Sequence, residues 1–180
     1  MIRIISGTHK GRRIRAPKNL PVRPTTDRAK EALFNILAPV IDWQQARVLD
    51  LFAGTGNISY ECASRGGSEI TAVDADPGCV AFMRKTAASL DMPIHAVKSD
   101  SLAYLQHAAR KFHFIFGDPP YDLDAGGLGE LVCAVFDRDL LETDGLLVLE
   151  HTKDHDLAHL TGFEQARRYG GTVFSFFRKA

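Results

Sequence analysis

From residue 46 onward the chain repeats one unit: a short run that is apolar at nearly every position, a turn, then a stretch whose apolar residues recur at helical spacing. Runs at 47–51, 69–73, 94–97, 112–116 and 145–150 have the continuous apolar character of strands buried on both faces. The stretches between them predict helices at 58–65, closed by Gly66-Gly67, from Asp76 with Pro77 at its first position, and at 101–109, 128–136 and 154–160. Two final strands at 163–168 and 172–177 flank Gly170-Gly171, a hairpin turn signal. Upstream, Thr26 or Asp27 can cap a helix carrying Ala29, Leu33, Ile36 and Leu37, which Pro39 ends. Residues 1–22 alternate loosely around Gly7 and Gly11 and include Pro17 and Pro21, as expected of a small β-hairpin appended to the body, followed by an extended connector. Alternating strands and helices predict an α/β fold. It has a mostly parallel sheet of seven strands, helices on both faces and a carboxy-terminal antiparallel hairpin at one edge. The expected division is an amino-terminal hairpin and connector over 1–22 and a main domain over 23–180.

Composition changes this picture little. With 180 residues, 45% hydrophobic and 24% charged, the chain has the make-up of one ordinary globular domain. No apolar run approaches the roughly 20 residues that span a bilayer, and Met1-Ile2-Arg3-Ile4 lacks the layout of a secretory signal, so a cytoplasmic location is expected. Cys62, Cys79 and Cys133 have no close spacing and read as buried apolar residues. Trp43, Phe174, Phe176 and Phe177 read as core or edge packing.

Charge changes it more. The formal net charge is zero, yet residues 1–28 hold eight Lys/Arg against the single acid Asp27, leaving the remainder acidic. Arg3, Lys10, Arg12, Arg13, Arg15 and Arg23 are therefore candidates to neutralise the phosphates of a nucleic acid, which the acidic body would otherwise repel. A merely solvated basic surface is the plainer alternative.

In a doubly wound sheet, ligands bind beyond the carboxyl ends of the strands, and the candidate chemistry falls there. Asp50 closes the first buried strand, and Gly54 and Gly56 allow the next loop to approach a ligand closely beside a helix amino terminus. Asp74 ends the second strand, where a carboxylate accepts from ribose hydroxyls. Asp100 follows the third and can accept from an adenine amino group, with Ser101 and Leu102 beside the ring. Three acids at successive strand ends predict an adenosine site more readily than three helix caps. A dinucleotide site is the nearest rival, but Ser59 occupies the position of its third glycine.

The fourth strand runs straight into Asp118-Pro119-Pro120-Tyr121. An exocyclic amine on a base is a poor nucleophile because its lone pair is delocalised into the ring. The Asp118 carboxylate and the Pro119 carbonyl can each accept one of its N–H groups, drawing electron density back to nitrogen and stabilising the charge that develops on methyl transfer. Pro120 restricts the dihedrals that set the direction of that carbonyl, and Tyr121 offers a ring face for stacking. This corner alone leaves DNA, RNA and glutamine amides open as substrates. His151, His155 and His159, spaced by four, are not expected to bind metal, since methyl transfer from a sulfonium needs none.

Val48-Leu49-Asp50-Leu51-Phe52-Ala53-Gly54-Thr55-Gly56, Asp74, Asp100 and Asp118-Pro119-Pro120-Tyr121, in this order, resemble the motifs of Rossmann-like class I amino-methyltransferases. Ile5-Ser6-Gly7, Lys10-Gly11-Arg12-Arg13, Pro17 and the stretch from Arg23-Pro24-Thr25-Thr26-Asp27-Arg28 to Leu37 narrow the resemblance to the RsmD family of bacterial 16S rRNA guanine-N2 methyltransferases. The resemblance covers nearly the whole chain. It implies S-adenosylmethionine as cofactor, S-adenosylhomocysteine as product and no metal. It also implies that the stretch from Arg23 to Arg28 borders the methionine end of the cofactor, and a cofactor-contacting set of Thr26, Arg28, Asp50, Phe52, Ala53, Gly54, Gly56, Asp74, Ala75, Asp100, Ser101 and Leu102. The catalytic set is Asp118, Pro119, Pro120 and Tyr121, the basic hairpin docks on 16S rRNA or an assembling 30S subunit, and the enzyme is a monomer. Two positions depart from the family: Ser59 stands where glycine is usual, a difference expected to affect packing, and Asp74 stands where glutamate is frequent. The alternatives are a DNA amino-methyltransferase, for which the chain has little room for a target-recognition region, and a non-catalytic RNA-binding assembly factor, against which an intact Asp118 and Pro119 argue.

Overall fold

The computed structural model describes residues 1–22 and 25–179. Two two-residue strands, β1 (Ile2–Arg3) and β2 (Arg13–Ile14), pair antiparallel. Helix α1 (Asp27–Leu37) follows, with Thr26 as its cap: the Thr26 hydroxyl accepts from the Ala29 amide at 3.2 Å. The alternating units are β3 (Arg47–Leu51), α2 (Asn57–Ser64), β4 (Glu69–Asp74), α3 (Pro77–Ser89), β5 (Ile94–Lys98), α4 (Ser101–His107), β6 (Phe112–Gly117), α5 (Ala125–Asp137) and β7 (Leu141–Thr152). The hairpin β8 (Phe163–Tyr169) and β9 (Thr172–Arg178) closes the chain.

The main sheet has the order β5-β4-β3-β6-β7-β9-β8, parallel from β5 to β7 and antiparallel beyond. The chain moves outward from β3 to β4 and β5, then crosses back to β6. Strand order thus reverses between β3 and β6, where the carboxyl ends open a crevice. Alternate residues of the central strands enter two cores. Val48, Phe114, Phe116 and Val148 meet α1 and α2 on one face, and Leu49, Leu51, Ile115 and Leu147 meet α4 and α5 on the other. Burial on both faces is why these strands read as unbroken apolar runs.

Several local expectations change. Strand β7 begins at Leu141, four residues before the predicted start, because an irregularity lets it resume pairing: Phe112 faces Leu141 while Phe114 faces Leu146. Asp144 adopts φ 60°, and a Cβ on Gly145 would lie 2.7 Å from the Glu142 carbonyl, so the extra residues loop out tightly. Helix α5 starts three residues early because the Asp124 side chain accepts from the Gly127 amide. The helix expected at 154–160 does not form; the segment is two turns, with Asp156 accepting from the Ala158 amide, so the histidine spacing of four never becomes one helical face. Cys62 and Cys79 are buried as expected, whereas Cys133 is exposed. Phe174, Phe176 and Phe177 are core residues, and Trp43 packs edge-on to Phe114 at 6.2 Å.

The first residues do not stand apart from the body. Ile2, Ile4 and Ile14 enter the same core as Leu33, Phe34 and Leu37, each worth roughly 1.5–3 kcal/mol when fully buried. Gly7, at φ 87°, lies so close to the carboxyl end of α2 that a Cβ there would sit 1.7 Å from the Ser64 carbonyl oxygen. That carbonyl accepts from the Thr8 amide at 2.7 Å, so the amino-terminal segment satisfies the open end of α2.

Candidate active site

The crevice is a cleft of about 500 Å³ lined by the loops after β3, β4, β5 and β6 together with Pro21, Val22 and Thr25. Its floor is the β3 loop. Phe52 adopts φ 58°, a left-handed conformation that a bulky residue rarely takes, and Gly54 and Gly56 follow at φ 57° and 93°. Glycine at 56 is required twice over, since a Cβ would also lie 2.7 Å from the Tyr60 ring. The Asp74 carboxylate organises this loop from β4: one oxygen accepts from the Gly54 amide at 2.8 Å and the other from the Asp76 amide at 2.9 Å.

Asp50 lies inside β3 and is 1% exposed. Burial raises its carboxyl to about 7, partly offset by hydrogen bonds from Ser59, whose hydroxyl donates to it at 2.6 Å. The serine at position 59 therefore holds a cleft carboxylate, a role beyond the packing difference expected of it. Asp100 caps α4, its carboxylate accepting from the Ala103 amide at 2.9 Å, while Ser101 is buried beside it.

Asp118, Pro119, Pro120 and Tyr121 form the opposite lip. The Asp118 amide donates to the Leu51 carbonyl at 3.5 Å, tying the end of β6 to β3, and the Leu123 amide donates to the Pro120 carbonyl at 3.0 Å, turning the chain back into α5. Pro119 is buried, whereas Tyr121 keeps 41% of its surface exposed. Tyr121 is thus an aromatic at a cleft lined by both apolar and polar residues, where a ring face can stack on a flat ligand. Behind this lip the buried Glu150 accepts from the Thr25 and Thr172 hydroxyls at 3.3 and 3.4 Å.

The cleft thus brings together Asp50, Phe52, Ala53, Gly54, Asp74, Ala75, Asp100, Ser101 and all four residues of the Asp-Pro-Pro-Tyr corner. Gly56 shapes the loop behind the lining. Thr26 caps α1, Arg28 is exposed and Leu102 packs into the second core, so none of the three lines the cleft. Thr25, within the stretch 23–28 that the family resemblance sets beside the cofactor, lines it too, whereas Pro21, Val22, Asn57, Ile58 and Phe116 line it without having been expected from the sequence; no local pattern marks a connector residue that becomes a wall only when the chain folds over the sheet. Arg3, Lys10, Arg12, Arg13 and Arg15 are exposed, with Arg3 opposite Arg13 across the small hairpin and paired to Asp27 at 2.9 Å. Arg23 lies outside the described residues. His151 is buried and contacts the Ser175 hydroxyl at 2.7 Å and the Thr152 carbonyl at 2.8 Å.

Comparison with known proteins follows the same outline. The family model described as "Conserved hypothetical protein 95" matches residues 2–178. The chain is 34% identical to Bacillus subtilis YlbH, named as an rRNA methyltransferase, over 99% of both chains. It is 34% identical to Escherichia coli K12 "Ribosomal RNA small subunit methyltransferase D" over 87% of this chain and 77% of that one. Among solved structures, Escherichia coli yhhF, named as a methyltransferase, superposes with a TM-score of 0.87 at 27% identity, covering 99% of this chain and 97% of the other.

Proposed function

The chain belongs to the RsmD family of methyltransferases, and from that premise we propose that it transfers the methyl group of S-adenosylmethionine to the exocyclic N2 amine of a guanine in bacterial 16S rRNA. The observation that carries this reading is that one cleft is lined by Asp50 of β3, Asp74 at the end of β4, Asp100 at the start of α4, and Asp118, Pro119, Pro120 and Tyr121. Its volume suits a nucleoside-sized ligand. The donor set also fits the cofactor: Asp74, oriented by two backbone amides, for ribose hydroxyls; Asp100 and Ser101 for the adenine; and Phe52, Val22 and Ile58 for its apolar surfaces. Bound S-adenosylmethionine supplies an electrophilic methyl on a sulfonium and leaves as S-adenosylhomocysteine.

The chain's own residues prepare the nucleophile. The Asp118 carboxylate and the Pro119 carbonyl accept the two N–H groups of the amine, turning its lone pair toward the methyl group and stabilising positive charge as the N–C bond forms and the S–C bond breaks, after which the methylated nitrogen releases its extra proton to water. Rotating a base out of structured RNA costs a few kcal/mol. Stacking on Tyr121 returns about 1–3 kcal/mol of that. The amino-terminal segment, residues 1–22, together with Arg23 supplies phosphate contacts, and residues 23–180 carry the chemistry. In this reading the enzyme acts in the cytoplasm as a monomer on 16S rRNA or an assembling 30S subunit.

Incubation of the protein with labelled S-adenosylmethionine and 30S subunits from cells lacking the activity, followed by mapping of the modified nucleotide, tests this. Label in a single guanine is the expected result. Label in DNA, or on another atom, overturns the assignment.

A further inference from the structure

Lys30 is wholly buried on α1, an unusual place for an ammonium group outside a catalytic centre. Its Nζ donates to the Arg3 carbonyl at 2.6 Å and to Asn57 Oδ1 at 2.8 Å, and pairs with the buried Glu61 carboxylate at 3.5 Å. An ammonium has three protons, and these are three partners. The acceptor on Asn57 is thereby turned toward Lys30, leaving its amide nitrogen to donate to the Thr25 carbonyl at 3.2 Å. Asn57 and Thr25 both line the cleft; Lys30 does not.

The other side of the network holds the amino-terminal segment. Glu61 accepts from the Ile5 and Ser6 amides at 2.9 and 3.0 Å and from Arg65 Nε at 3.0 Å. Together with the Arg3 carbonyl, this binds residues 3, 5 and 6 to the same buried charges that orient Asn57. Burial disfavours a charged lysine here, and Glu61 and Asp27 offset that cost. Replacing such a pair with apolar residues is often neutral or stabilising. A purely structural role therefore does not account well for a cation whose hydrogen bonds run both to the cleft wall and to the basic segment.

We propose that Lys30 is a positioning residue: by orienting Asn57 it holds the Asn57–Thr25 wall of the cofactor cleft in place, and through Arg3 and Glu61 it makes that wall depend on the seating of the amino-terminal segment. The inference rests on the reading of the cleft as the S-adenosylmethionine site. It implies that occupancy of the cleft is felt at Ile5 and Ser6, which do not line it, and that loosening the segment is felt in the cleft.

The experiment measures S-adenosylhomocysteine binding by calorimetry, and hydrogen exchange of the Ile5 and Ser6 amides with and without that ligand, in the wild-type protein, Lys30→Met and Asn57→Ala. Thermal melting of each checks the fold. Expected are affinities at least tenfold weaker in both variants, and slowing of the two amides by ligand in the wild-type protein but not in Lys30→Met. Glu61 keeps Arg65 and two backbone amides in Lys30→Met, which favours folding of that variant. If it nevertheless melts early, Asn57→Ala decides, because Lys30 is taken to act through Asn57. Unchanged affinity in Asn57→Ala overturns the inference, as does a folded Lys30→Met with wild-type affinity or amides indifferent to ligand. Failure of the wild-type protein to bind S-adenosylhomocysteine removes the cofactor assignment itself, and this inference with it.

Discussion

Beneath the cleft, the Ser59 hydroxyl donates to the Asp50 carboxylate at 2.6 Å, fully shielded from solvent. The first turn of α2 thus holds an acid of β3 whose carboxyl is raised to about 7, chiefly by burial. In the unfolded chain an aspartate titrates near 3.9. Between about pH 4 and 7 the folded protein therefore retains a proton that the unfolded chain has released. Stability from this group is complete below that window and is lost as pH rises through it. Asp50→Asn, which keeps an acceptor for Ser59, should remove this dependence. Urea melts at pH 5 and pH 8 should show the variant gaining on the wild-type protein by a few kcal/mol at the higher pH. A stability difference that does not change with pH would contradict the assignment.

In the proposed reaction, Asp118 holds the amine chiefly in the transition state. Asp118→Ala should lower methyl transfer by at least a hundredfold while S-adenosylhomocysteine affinity stays within about threefold of wild type. Single-turnover rates and calorimetry on the same preparation check this, and undiminished turnover would remove Asp118 from the mechanism.

Tyr121 presents a ring at the mouth of the cleft. Tyr121→Phe keeps the ring and should retain most activity, whereas Tyr121→Ala should raise the RNA concentration needed for half-maximal rate by about tenfold or more. Equal losses in the two variants would assign the effect to the hydroxyl.

Arg12, Arg13 and Arg15 are exposed on and beside β2. Reversing all three to Glu should weaken rRNA binding by about tenfold or more and flatten the dependence of log K on log salt by roughly one unit for each phosphate no longer neutralised. Unaltered thermal melting would establish that the body is intact. Affinity equal to wild type would take the hairpin out of the interface.

The sheet was legible in the sequence because its strands are buried on both faces and flanked by unambiguous turn and cap residues: Thr26, Asp76 and Gly170 do in the structure what their chemistry predicts. The expected helix at 154–160 does not form because the Asp156 carboxylate accepts from the Ala158 amide, a local bond that competes with helical pairing and leaves two turns in its place. The late start assigned to β7 has a similar origin, since a strand that loops out three residues does not keep its period.

The sequence by itself determined the α/β order, the acids that end the strands and the Asp-Pro-Pro-Tyr corner, because each is written in contiguous residues whose local physics does not depend on distant ones. Tertiary structure alone decided that Ser59 holds Asp50, that Pro21 and Val22 become walls of the cleft, and that Lys30 and Glu61 join the first six residues to Asn57. These pairings join residues far apart along the chain or on different elements. Only the packing of α1, α2 and the amino-terminal segment onto one face of the sheet brings them within reach of a hydrogen bond.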